Sequence, residues 1–272
     1  MTNTGTISAQ NGSVTQFENS FGISGGTFTT SGTGTVRTAN GNTVSYASIN
    51  NLGNWTLGSA STSNYSGDLF NSGSINMTAD GGNVSFNFTS GTTNLTGGGT
   101  INMSATGGGG VARIGEGGGR LVNVNNIIRG TGHLGSNNQS FTNGAAGVVS
   151  ADLPGLALLV DPKAATDDFV NNGIMRATNG GLLQITGQFT GGVTNNGTIS
   201  ASGAGSEVQL FNSIGVTGGT FTTSAGGVVR SVASQTVNVS SITNSGNWTL
   251  DNNSTNNYSG NLVNSGSINF NG

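Results

Sequence analysis

Hydrophobic and polar residues alternate in short runs along most of this chain. In Val84–Phe88 (VSFNF) every second residue is apolar, the period of two that is typical of a half-buried strand. Such runs follow short Asn- and Gly-rich segments, which suit tight turns because both residues tolerate a positive φ. The alternation predicts six inward-pointing side chains: Ile7, Trp55, Ile75, Met175, Ile199 and Trp248.

One turn-and-strand motif recurs from one end of the chain to the other. It reads NSGNWTL at 244–250, NLGNWTL at 51–57 and NSGSINM at 71–77. The glycines of successive copies are spaced by about 20–27 residues, a period that marks repeat architectures in which each coil must stack on its neighbours. We therefore expect an all-β parallel β-helix (β-solenoid) of about 12 coils. No window shows the 3.6-residue apolar spacing of a helix.

The sequence also contains a second repeat that is much longer than one coil. Residues 27–77 match residues 220–270 at 31 of 51 positions, an offset of 193. This predicts one continuous solenoid over 1–272, built from a unit of about 193 residues (1–193) and a partial second copy (194–272). It also suggests a piece of a longer array, in which neighbouring repeats of the same parent chain would pack on each other.

Residues 104–170 depart from the regular pattern. They contain the glycine runs 107–110 and 117–119, both prolines (Pro154 and Pro162) and the only lysine, Lys163. Glycine runs and prolines interrupt strands. We therefore expect an irregular segment with side loops here.

Composition narrows the possible functions. The chain has 50 Gly, 6 % charged residues and a net charge of −3, and so little charge argues against disorder when alternating apolar residues are present. Seven Lys and Arg form no basic stripe, so we expect no nucleic-acid partner. No apolar run approaches the roughly 18 residues of a membrane span. The absence of Cys excludes disulfides, Cys-ligated zinc and thiol catalysis.

Candidate chemistry is sparse. A polysaccharide-cleaving site needs clustered carboxylates or a carboxylate with a cation. The tightest such set lies at 161–168 and predicts a solvated loop, with a calcium-stabilised loop or a catalytic site as the alternatives. Arg113, Arg120 and Arg129 could form a cationic patch for anionic glycans or a protein. The only histidine, His133, has no Ser and Asp at triad spacing, so we expect no catalytic triad. From the sequence as a whole we expect no catalytic residues, no cofactors and no metal ligands. The weak ligand-binding candidates are Arg113, Arg120, Asp161, Lys163, Asp167 and Asp168.

Three segments carry a family resemblance: 121–134 (LVNVNNIIRGTGHL), 169–186 (FVNNGIMRATNGGLLQIT) and 217–223 (TGGTFTT). They resemble repeats of giant bacterial surface proteins, the autotransporter passengers and filamentous-haemagglutinin-like adhesins. The resemblance covers nearly the whole chain and implies a right-handed β-helix that is secreted to the cell surface. It carries over no functional residues.

Together these observations predict a non-enzymatic structural or adhesive stalk segment of a large secreted bacterial surface or matrix protein. The expected partners are a host or cell-surface glycan or protein, and further copies of the chain joined end to end. The alternative is a glycan-binding or polysaccharide-degrading β-helix module. The enzyme would need a deep groove lined by two or three carboxylates, whereas the glycan-binding module would need Trp55 and Trp248 to face outward as a binding platform.

Overall fold

The chain forms a parallel β-solenoid of about 11 turns. The computed structural model describes residues 1–89, 91–105, 107–163, 169–186 and 192–271. The described residues contain no helix and form three 12-stranded sheets, in which every pairing is parallel and joins strands that are three positions apart in chain order. The step from one coil to the next varies in length, from the short step between Thr43 and Thr62 to the long step between Phe141 and Phe169.

Each coil contributes one strand to each sheet. The first sheet contains β1 Thr6–Gln10, β4 Thr27–Ser31, β7 Asn50–Asn51, β10 Leu69–Asn71, β13 Thr92–Thr96, β16 Arg120–Asn123, β19 Ser140–Asn143, β22 Phe169–Asn171, β25 Val193–Asn195, β28 Gly215–Thr217, β31 Thr236–Ser240 and β34 Thr255–Ser259. The second contains β2 Val14–Phe17, β5 Thr35–Thr38, β8 Asn54–Leu57, β11 Ser74–Ala79, β14 Thr100–Ala105, β17 Ile127–Gly130, β20 Val148–Ala151, β23 Ile174–Thr178, β26 Thr198–Ser202, β29 Thr220–Ser224, β32 Thr243–Asn244 and β35 Val263–Asn264. The third contains β3 Gly22–Ser24, β6 Thr43–Ala47, β9 Thr62–Ser66, β12 Val84–Phe88, β15 Ala112–Ile114, β18 Gly132–Leu134, β21 Ala157–Val160, β24 Leu182–Thr186, β27 Glu207–Phe211, β30 Val228–Ser231, β33 Asn247–Leu250 and β36 Ser267–Phe270.

The core is one continuous cluster of apolar side chains, from Ala9 to Leu250. The inward prediction is confirmed: Trp55, Ile75, Met175 and Ile199 are fully buried and Trp248 is 3 % exposed, while Ile7, in the first coil, is half-buried against the same cluster. Because the strands pair in parallel and in register, similar side chains stack on one another from coil to coil. For example, Ile75 and Met77 lie directly beneath Ile101 and Met103.

Buried asparagines close one corner of the coils. They end half of the strands of the first sheet. Most of them donate a side-chain N–H to the side-chain oxygen of another buried asparagine, as from Asn143 to Asn171 at 2.9 Å, whereas Asn195 donates to the carbonyl oxygen of Gly218. Asn143 also donates to the carbonyl oxygens of Gly147 and Ile174. A fully buried side-chain amide costs free energy unless it is paired, and the ladder supplies that pairing. The fully buried members are Asn51, Asn71, Asn123, Asn143, Asn171 and Asn195.

The turn glycines next to this ladder are needed for a reason other than the one predicted. Gly53, Gly73, Gly246 and Gly266 do not have a positive φ, so the expectation of left-handed turns is wrong for them. A Cβ added to Gly73 would overlap the carbonyl oxygen of Gly53 in the coil below, and Gly266 has the same relation to Gly246. Close stacking of backbone on backbone therefore selects glycine at this corner.

The duplicated sequence occupies different sheets in its two copies. The strand β8 of the first copy lies in the second sheet, whereas its counterpart β33 lies in the third. The same shift holds for every pair from β4 and β29 to β11 and β36, because equivalent strands are 25 positions apart and 25 is not a multiple of three. The 193-residue offset therefore corresponds to eight and one-third turns.

The segment 104–170 contributes to all three sheets. Strands β15 to β21 lie within it and pair in register with the coils on both sides. The sheets and the core therefore continue through the segment that the sequence marked as irregular, and its glycine runs lie in the connections between strands.

Candidate functional site

The central outward row of the third sheet carries most of the unusual chemistry. Near its two ends this row consists of small polar residues, Thr43 and Thr62 in the first coils and Thr249 in one of the last. In the middle coils the row holds charged, aromatic and aliphatic side chains in axial order: Arg113, His133, Leu159, Gln184, Gln209 and Arg230.

Arg113 belongs to a small hydrogen-bonded cluster on this row. Its Nη1 lies 2.8 Å from Oε1 of Glu116, and the Ser85 hydroxyl of the coil below donates to Oε2 of Glu116 at 2.8 Å. Partial burial alone would raise the pKa of Glu116. The hydrogen bonds from Arg113 and Ser85 outweigh burial, so this pKa lies below its usual value. The ion pair thus leaves no net charge at the cluster at neutral pH.

His133 lies directly above Arg113 in the next coil. Its half-burial lowers the pKa of the imidazole, the positive charge of Arg113 lowers it further, and Glu116 opposes the shift only in part. The imidazole is therefore neutral at pH 7, with one nitrogen that donates and one that accepts.

A cavity of about 220 Å³ opens beside His133. It lies between the connection that ends at Val111 and the strands β18, β21 and β24. One part of its wall is aliphatic (Val111, Ala157 and Leu159), and His133 and Gln184 supply polar groups. The arrangement offers neutral donors and acceptors beside an apolar surface, a combination that is typical of small-ligand pockets.

The three predicted arginines are separated by the fold. Arg113 lies in β15 of the third sheet, Arg120 in β16 of the first and Arg129 in β17 of the second. Arg120 Nη1 donates to the Thr142 hydroxyl at 3.3 Å, and Arg129 pairs with Asp152 at 2.6 Å. Neighbours in sequence thus point outward from three different faces of the solenoid.

The predicted acidic set is described only in part. Asp161 follows β21, and burial raises the pKa of its carboxyl group. The Lys163 amide nitrogen donates to the carbonyl oxygen of Gln139 at 3.1 Å. Asp167 and Asp168 lie outside the described residues. Asp161 follows Leu159 along the strand and so lies at the edge of the same face as the His133 cavity.

Sequence reasoning missed several polar residues around these groups. Glu116 stands in a glycine run, which by itself indicates only a loop, although its position three residues after Arg113 could have indicated the ion pair. Arg230 pairs with both Glu207 (2.9 Å) and Asp251 (2.8 Å). No sequence signal indicated that pairing, because each partner lies one coil away and meets Arg230 only through coil stacking.

An apolar groove of about 520 Å³ lies at the last coil. Trp248, Leu262 and Ile268 help to line it, and Phe270 is 80 % exposed at its edge. In the first copy the residue equivalent to Phe270 is Met77, which is fully buried beneath Met103 of the following coil. The residues that line the groove therefore correspond to residues that a following coil covers in the first copy.

Among the described residues there is no group of three or more His, Asp or Glu that could hold a metal ion. That part of the chain also lacks any helix that could cross a membrane. No protein-family model, no curated protein and no solved structure matches the chain.

Proposed function

We propose that this chain is a structural and adhesive stalk segment of a large secreted bacterial surface or matrix protein, and that it catalyses no reaction. The observation that carries the proposal is the single core that runs along the stack of twelve strands in each sheet. Eleven turns at about 4.8 Å each give a rod of about 53 Å. Such a rod holds its ends at a fixed distance, which is the task of a stalk.

The surface location rests on the resemblance to autotransporter and haemagglutinin-like repeats, and the Cys-free composition is consistent with it. Antibodies against the chain should label intact cells of the source organism. Labelling that requires permeabilised cells would contradict a surface location.

Small-angle X-ray scattering tests the stalk role. We expect a rod whose length grows in proportion to the number of added 193-residue units. A maximum dimension that fails to grow with added units would contradict the proposal, because a stalk must lengthen when repeats are added.

A glycan-binding role is the second candidate, and the cavity beside His133 favours it over polysaccharide degradation. The outward Trp platform expected of a glycan-binding module is not formed, since both Trp55 and Trp248 are buried, so a glycan would have to bind at another surface. Glycoside cleavage needs a pair of carboxylates. The residues that line the cavity beside His133, in the part of the chain that the structure describes, include no carboxylate.

End-to-end association of copies is also part of the proposal. The groove beside Phe270 and the edges of β34, β35 and β36 have the apolar lining and backbone groups with which another parallel coil could pair. Sedimentation velocity should show concentration-dependent oligomers, and Phe270→Asp should reduce them. Asn196→Asp, which adds the same charge at an exposed position that does not line the groove, is the matched control. Monomers at all concentrations would contradict end-to-end association.

A further inference from the structure

We propose that the cavity beside His133 binds a single uncharged sugar ring, one pyranose residue of a glycan. This names the ligand class for the adhesive half of the proposed function and rests on it. The proposal depends on the size of the cavity, the division of its wall into aliphatic and polar parts, and the absence of charged side chains from its described lining.

The cavity is small. Its volume of about 220 Å³ is below the roughly 300–1,000 Å³ of pockets that hold drug-sized ligands. One six-membered ring fits such a volume, whereas an oligosaccharide would have to extend along the outer surface of the third sheet. The site therefore suits the end or a side branch of a glycan.

The wall has an aliphatic part and a polar part. Val111, Ala157 and Leu159 offer C–H surface to the apolar face of a ring. Leu159 points outward at a row position where the first coils carry Thr43 and Thr62. The outward leucine thus replaces the small polar residue of the first coils, and it does so at the position where the cavity forms.

The polar part offers groups that other contacts leave available. Gln184 uses its amide nitrogen to donate to Oε1 of Gln209 at 2.9 Å, which leaves its own Oε1 to accept from a hydroxyl group. The neutral imidazole of His133 adds one donor and one acceptor. Adjacent hydroxyl groups of a sugar ring both donate and accept, so they match this pair.

Charge argues for a neutral sugar over an acidic one. Arg113 is the nearest cation in the row, and its Nη1 is held at 2.8 Å by Glu116. A carboxylate ligand would have to compete with Glu116, whose own contacts with Ser85 and Arg113 are in place without any ligand.

The expected affinity is weak. A ligand of about a dozen heavy atoms, at the efficiency usual for small ligands, gives a Kd in about the millimolar range. Repeated copies along a stalk would strengthen binding to a glycan-coated surface through effective concentration. Weak single sites are therefore compatible with adhesion.

The test is a solution NMR titration with a panel of neutral methyl pyranosides, with methyl glucuronide as the acidic comparison. His133 is the only histidine, so its imidazole signals report on the cavity without ambiguity. We expect at least one neutral glycoside to shift them saturably with a millimolar Kd. Methyl-group signals of Leu159 and Val111 should shift at the same concentrations.

Two variants separate binding from folding. Leu159→Asp should lower the affinity at least about tenfold, because it puts a charge on the apolar wall, and His133→Ala, followed through the methyl signals, should do the same. Thr222→Ala, in the second sheet and on another face, should bind like the unmodified chain.

Three outcomes would overturn the inference: no shift with any neutral sugar well above the expected Kd, unchanged affinity in both cavity variants, or tighter binding of the glucuronide. None of these bears on the rod, whose length is measured separately by scattering. A failed titration with a normal scattering length would therefore reject the sugar site and leave the stalk proposal in place.

Discussion

Residues 27–77 and 220–270 are two copies of one sequence that form the same local structure in different sheets. In the first copy the backbone N–H of Asn54 donates to the Thr30 hydroxyl, and in the second the backbone N–H of Asn247 donates to the Thr223 hydroxyl, both at 2.8 Å. Ser48 and Ser241 both adopt a positive φ, 49° and 53°. The sequence thus determines how a corner turns and how coils stack, and it leaves open which of the three faces a strand occupies.

The copies differ in what lies next to them along the axis. Tyr65 is fully buried, while its counterpart Tyr258 in the last coil is 39 % exposed. Because each coil packs only on its two neighbours, an identical residue contributes more where a coil covers it on both sides. The same argument predicts unequal effects for identical substitutions in the two copies.

The tryptophans should show the largest difference. Trp55 lies among Phe28, Tyr46 and Phe86, and replacing it with alanine should lower the free energy of unfolding by about 3–5 kcal/mol. Trp248 pairs only with Phe221 among the aromatic rings of the described residues, so Trp248→Ala should cost clearly less. Urea unfolding followed by circular dichroism measures both, and equal losses would contradict the dependence on neighbouring coils.

The asparagine ladder should show the next largest effect. Asn51→Ala removes a fully buried amide and leaves the carbonyl oxygens of Gly53 and Ser74 without its hydrogen bonds, which should cost about 2–3 kcal/mol. Asn244→Ala, the equivalent change in the second copy, should cost less, because the Asn264 side chain that accepts from Asn244 is exposed, whereas the Asn71 side chain that accepts from Asn51 is buried. Asn196→Ala, at an exposed position, is the control and should change urea stability little.

Arg37 and Arg230 occupy equivalent positions but have different partners. Arg230 is ion-paired with Glu207 and Asp251, whereas Arg37 donates to the side chain of Gln16. Because the Arg230 side chain is 28 % exposed, solvent weakens the pairs, and Arg230→Ala should cost no more than about 1 kcal/mol. The loss should shrink as salt is added. Arg37→Ala should show a smaller effect, and a salt-independent loss in Arg230→Ala would contradict the ion-pair explanation.

His133 lies in the coils between the two copies and should give the smallest effect. Its pKa is lowered in the folded chain relative to 6.5, so the unfolded chain binds the proton more readily. Stability should therefore fall as pH drops below about 6.5. The difference in urea stability between the unmodified chain and His133→Gln isolates this contribution, and a difference that does not vary with pH would contradict the shift.

Much of the fold could be predicted because it depends on local patterns. Alternation identified the inward residues, and the spacing of turn motifs identified coils, since a coil of about 22 residues can bury its apolar side only against another coil. The reason for the turn glycines could not be predicted. Close contact between Gly53 and Gly73 is a property of stacked coils, which no single turn contains.

The candidate site could not be predicted for the same reason. Arg113, Arg120 and Arg129 are close in sequence. They lie on three different faces, however, because consecutive strands of a coil belong to different sheets. His133 and Arg113 meet because they occupy the same register position in adjacent coils. Coil lengths vary along the chain, so such pairs cannot be assigned by counting along the sequence.

The change of face between the copies is the central claim, and a distance measurement between spin labels tests it most directly. Labels at Ser45→Cys and Asn238→Cys occupy equivalent exposed positions in the third and first sheets. Their axial separation is about 40 Å at about 4.8 Å per turn. A control pair, Ser45→Cys with Gln209→Cys, lies wholly in the third sheet, seven turns or about 34 Å apart.

We predict that the distance between the control labels is close to their axial separation. The distance between the equivalent labels should be well above their axial separation, because these labels also lie on two different faces. Equivalent labels at about 38 Å, eight whole turns, would place both copies on one face and contradict the account.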